Sequence, residues 1–86
     1  MVALLILSGA GALNHSTKMI WQKVCDKFRV KLEIYTLPDD PLPNYLETLE
    51  LKSYPSLIIN NKVMAVGHPD SQAAEKIIFN LINDQY

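Results

Sequence analysis

The chain has little of several things, and each shortage removes a class of function. One cysteine, Cys25, among 86 residues excludes an internal disulfide and any metal site built from several thiolates. Charge of one sign is missing too. Eight Lys and Arg stand against nine Asp and Glu, a net charge of −1, so the strong positive field of a duplex nucleic-acid binder is absent. No apolar run approaches the roughly 18 residues that a membrane-spanning helix needs. The Val2–Leu7 run ahead of Ser8-Gly9-Ala10-Gly11-Ala12 has the outline of a signal peptide but no basic residue before it. It reads instead as a buried strand of an intracellular, cytoplasmic protein, with neither membrane nor nucleic acid as partner.

What is present is enough for one core. Half the chain is apolar (49%) and a fifth charged (20%), a balance that folds rather than staying disordered. No repeat or linker divides it, so residues 1–86 read as a single domain. Val2–Leu7 is continuously apolar, as in a strand covered on both faces. Gly9 and Gly11 break it. Asn14, Ser16 or Thr17 then offers cap chemistry for a helix to about Phe28, with Ile20, Val24 and Phe28 recurring every four residues. Val30, Leu32, Ile34 and Thr36 alternate with Lys31, Glu33 and Tyr35, the pattern of a half-buried strand near a sheet edge. After the Pro38–Pro43 turn segment a short helix is expected over roughly 43–51, with Leu46 and Leu49 inward. Ser56–Ile59 and Val63–Val66 read as strands joined only by Asn60-Asn61-Lys62. A link that short permits only an antiparallel hairpin, and asparagines tolerate the positive φ of its turn. Asp70 caps the last helix, whose pairs Ala73/Ala74, Ile77/Ile78 and Leu81/Ile82 repeat every four residues. The order β-α-β-α-β-β-α makes a four-stranded mixed sheet with helices on both faces, an α/β fold.

That order, and the segment Tyr54-Pro55-Ser56-Leu57-Ile58-Ile59-Asn60-Asn61-Lys62-Val63 with Gly67 behind it, resembles the thioredoxin-like superfamily of thioredoxins, glutaredoxins and glutathione-transferase N-terminal domains. The resemblance covers essentially the whole chain. It implies a cis bond at Pro55 and a Tyr54 main chain that meets a bound thiol or extended peptide. Redox-active relatives carry Cys-x-x-Cys where the first helix begins, because the helix N-terminus stabilises the attacking thiolate. This chain has Ala12-Leu13-Asn14-His15 there. Dithiol exchange and monothiol glutaredoxin chemistry are both excluded. Cys25 lies about ten residues further on, beside Val24 and Phe28, and reads as an inert core residue.

Other features have plainer readings. Gly9-Ala10-Gly11-Ala12-Leu13-Asn14 lacks the third glycine of a dinucleotide fingerprint, and the hairpin contradicts an all-parallel sheet. The same stretch looks like the phosphate loop of sugar-phosphotransferase B components, but with Ser8 at their nucleophilic cysteine. His68 with Asp70 supplies too few ligands for a metal. The basic residues Lys18, Lys23, Lys27, Arg29 and Lys31 read as a solvated face, with an acidic protein partner as the alternative.

The expected function is a redox-inactive thioredoxin-like module that uses no cofactor and binds a protein or extended peptide. The expected groove has Leu13, Asn14, His15 and Ser16 facing Tyr54, Pro55, Gly67 and His68, with Asp70 and Ser71 at its end. The alternative is a glutathione-binding enzyme of glutaredoxin or glutathione-transferase type. There Ser16, Thr17 or His15 would hold the thiol, and Asp70 and Ser71 at the last helix would receive a carboxylate. A structural subunit of a larger assembly is the third reading.

Overall fold

The computed structural model describes residues 1–9, 11–37, 39–40, 51 and 54–83. In chain order they form β1 (Val2–Ser8), α1 (Asn14–Lys27), β2 (Lys31–Leu37), β3 (Ser56–Ile59), β4 (Lys62–Val66) and α2 (Ser71–Asn83). The strands make one mixed sheet in the order β2-β1-β3-β4. β1 and β2 run parallel, as a strand–helix–strand connection requires. β1 pairs antiparallel with β3, and β3 antiparallel with β4. The fold is thus α/β with a four-stranded mixed sheet.

The Asn60–Asn61 link folds the chain back as expected, but it is tighter than a three-residue connection. Lys62 already belongs to β4, leaving only Asn60 (φ 54°) and Asn61 (φ 62°) in the turn. Two consecutive left-handed residues give the turn whose twist matches that of the strands.

Alternation in β1 sends its side chains to two cores. Ala3, Leu5 and Leu7 join Trp21, Val24, Cys25, Leu57, Ile59, Ala74 and Ile78 beneath α1 and α2. Leu4 and Ile6 join Ile58 on the opposite face, with Tyr35, Leu37 and Leu51 packed against them. A central strand buried on both sides explains the unbroken apolar run. Both described helices therefore cover the same face. The helix expected over roughly 43–51 for the other face lies outside the described residues, except for Leu51, which is not helical.

Helix α1 departs from expectation at its start. Asn14, Ser16 and Thr17 all lie inside the helix. The cap position is Leu13, which makes no side-chain cap bond. The Asn14 amide instead turns back and donates to the Gly9 carbonyl (3.0 Å), fixing the loop rather than the helix end. The inward residues are Thr17, Trp21, Val24 and Cys25, while Ile20 and Phe28 are only half-buried. At the other end Val30 N–H bonds the Cys25 carbonyl (2.8 Å) and Arg29 N–H bonds the Asp26 carbonyl (3.2 Å). Arg29 stands at φ 58°. This is the Schellman arrangement, with arginine in the place glycine usually fills. Asp70 holds the expected position before α2, its carbonyl accepting the Ala74 N–H at 2.9 Å. Among the described residues no helix is long and apolar enough to cross a membrane.

Candidate functional site

The hairpin turn builds the site by setting Ser56 opposite Val66 at the open end of β3 and β4. That register brings the flanking residues together, and the Gly67 N–H donates to the Pro55 carbonyl at 2.8 Å. Gly67 sits at φ +83°, a conformation that glycine adopts without strain. The next residue, His68, reaches across to α1. Its Nδ1 shares a hydrogen bond with the Thr17 hydroxyl at 2.7 Å. Two bonds thus tie α1 through His68 and Gly67 to the Pro55 loop, where the Tyr54–Pro55 peptide is cis.

Thr17 is fully buried (0%), while the residues it is tied to are exposed or half-buried. Leu13 is 57% exposed and Tyr54 37%. His15, His68, Asp70 and Ser71 are exposed, and Asn14, Ser16, Pro55 and Gly67 are half-buried. Among the described residues, neither the N–H nor the C=O of Tyr54 has a hydrogen-bond partner. The Ser16 hydroxyl is already engaged, donating to the Leu13 carbonyl at 3.2 Å.

The structure divides the expected groove between two flanks of α1. At 100° per residue, positions 14, 15 and 18 lie around one side of the helix and 13, 17 and 20 around the other. Asn14 and His15 accordingly line a depression of about 320 Å³ on the β2 side, together with Lys18, Thr36, Gly9 and Gly11. Thr17 faces His68 on the β4 side. Ser71 belongs to neither; it lines a separate depression with Met19, Ile20 and Lys23. Thr17 is the residue whose part sequence reasoning missed. It has a polar side chain at an inward helical position, and its partner stands 51 residues away.

The single thiol is out of reach of this surface. Cys25 is 0% exposed, and burial, helped by the neighbouring Asp26 carboxylate, pushes it up to about 11. A thiol held protonated in a core is not a nucleophile at neutral pH. Among the described residues no group of three or more His, Cys, Asp and Glu could hold a metal ion. None of their buried side-chain nitrogens or oxygens lacks a partner either. What the loop offers a ligand is main chain at Tyr54, apolar surface at Leu13 and Tyr54, and the exposed His68 ring.

No family model matches this chain, and neither a curated protein nor a solved structure matches it.

Proposed function

We propose that the chain is a thioredoxin-like module without dithiol chemistry, binding a protein or an extended peptide along the Pro55 loop. The observation that carries this reading is the main chain of Tyr54, which has no hydrogen-bond partner among the described residues, next to a loop held to α1 by the Gly67–Pro55 and Thr17–His68 bonds. An extended segment would pair with the Tyr54 N–H and C=O as an added strand pairs with a sheet edge. It would lay apolar side chains on Leu13 and Tyr54. The strand order β2-β1-β3-β4 supports the thioredoxin-like part of the proposal. The absence of cysteine from residues 12–15, together with the core position of Cys25, supports its redox-inactive part.

The test is a titration of the ¹⁵N-labelled chain with blocked extended hexapeptides of Val, Thr and Phe, and separately with reduced glutathione. The proposal expects peptide to move the amides of Leu13, Tyr54, Gly67 and His68. Saturable glutathione binding below millimolar concentration, with the peptides silent, transfers the reading to a glutathione-binding enzyme. Peptide shifts confined to another surface remove the groove altogether.

A further inference from the structure

The sheet itself is poorly suited to bind partners through its edges. At the β2 edge the Thr36 N–H donates to Asp40 Oδ2 and the Thr36 carbonyl accepts the Asp40 N–H, both at 2.9 Å. β4, the other edge, opens with Lys62 and carries an irregularity opposite Leu57/Ile58. Charge and bulges at an edge discourage pairing with another chain. The large exposed apolar side chains of the helical layer are a different matter. Met19 is 59% exposed and Phe79 53%.

These two residues mark the ends of a seam. Thr17–His68, Lys27–Glu75 and Phe28–Phe79 are successive cross-links between α1 and the segment leading into and along α2, so the helices run side by side in the same direction. On their outer surface lie a depression of about 480 Å³, floored by Met19 and Ile20, and one of about 460 Å³, floored by Phe28 and Phe79. From Met19 to Phe28 the seam is about 14 Å long at 1.5 Å per residue, room for two to three turns of a third helix. Charge decides what kind of helix. Lys23, Lys27 and Lys76 outnumber Asp26 and Glu75 along the two depressions; Glu75 is paired with Lys27 at 3.0 Å, and Asp26 accepts from the neutral Gln22 amide at 2.9 Å. The cations Lys23 and Lys76, one in each depression, have no ion pair among the described residues.

We infer that the α1–α2 seam docks an amphipathic, acidic helix of a partner protein. Its apolar stripe would lie along Met19, Ile20, Phe28 and Phe79, and its flanking carboxylates would meet Lys23 and Lys76. Helix-in-groove recognition supplies the contact, and the opposite charges set on-rate and specificity. This surface is separate from the Pro55 loop and does not depend on it.

Two blocked helical peptides test it, each with leucines at i, i+3, i+4 and i+7, one flanked by glutamates and the other by lysines. The glutamate peptide is expected to move amides of α1 and α2 along the seam, to weaken with added salt, and to bind about tenfold or more tighter than the lysine peptide. Lys23→Glu with Lys76→Glu, both exposed and therefore compatible with the fold, is expected to reverse that preference. Equal affinity for the two peptides overturns the inference, as does no saturation by about 1 mM. Shifts at Tyr54 and Gly67 instead of the seam, or binding only to phosphatidylserine vesicles, overturn it as well.

Discussion

The bond between Thr17 and His68 makes a prediction whose sign is unusual, because its two partners sit in different environments. The Thr17 hydroxyl is 0% exposed, whereas the His68 ring reaches solvent. Thr17→Val removes the hydroxyl at nearly constant shape, and water takes over the imidazole nitrogen. The cost is one net hydrogen bond, about 0.5–1.5 kcal/mol. His68→Ala leaves the buried hydroxyl with no partner, and that orphan costs about 1–3 kcal/mol. The exposed residue should therefore matter more than the buried one. Combining the substitutions removes the orphan, so the double variant should be no less stable than His68→Ala alone. Urea unfolding followed by Trp21 fluorescence measures this. Trp21 is the one tryptophan of the chain and is 1% exposed, so its emission reports the core. A gap of 1 kcal/mol corresponds to about 4–8 °C in Tm for a domain of this size. The reasoning fails if Thr17→Val costs as much as His68→Ala, or if the double variant loses the sum of the two.

Four further outcomes follow from the geometry. Cys25 should resist thiol reagents at neutral pH in the folded chain and react on unfolding. Its ionisation also sets an alkaline limit: the folded thiol titrates near 11 against 9.0, so its contribution is complete below about 9.0 and is lost as pH rises toward 11. The stability difference between wild type and Cys25→Ala should shrink over that window by on the order of 2 kcal/mol, measured by urea unfolding at each pH. Arg29→Gly should stabilise the chain by about 1 kcal/mol, because φ 58° strains a residue with a Cβ and not glycine; a lower Tm contradicts this. Asn61→Val should cost about 1–2 kcal/mol at φ 62°, whereas Asn61→Gly should be neutral or stabilising, and thermal melts rank the two.

Local signals were legible where one residue type meets one physical demand. Val2–Leu7 could be apolar on both faces only as a central strand, and Leu4 and Leu5 do enter opposite cores. Asn60-Asn61 tolerates two left-handed residues, so hairpin and antiparallel pairing followed from two letters. The start of α1 was less legible because three capping residues compete within four positions. Each found a partner other than the helix end: Asn14 turns to Gly9, Ser16 to Leu13 and Thr17 to His68, leaving Leu13 at the cap. Arg29 gave no sign of its left-handed φ, since the Val30–Cys25 bond that stabilises it forms only once the helix has ended. The expected groove had the same weakness. Sequence order placed residues 13–16 together, but a helix turns 100° at each step, so Asn14 and His15 went to the β2 side and only Thr17 reached His68. Contacts set by proximity in the chain can be read from it; those that depend on which way a helix faces need the sheet beneath to fix the rotation. Here Trp21, Val24 and Cys25 fix it by filling the core, and the placement of Thr17 against His68 follows from that burial.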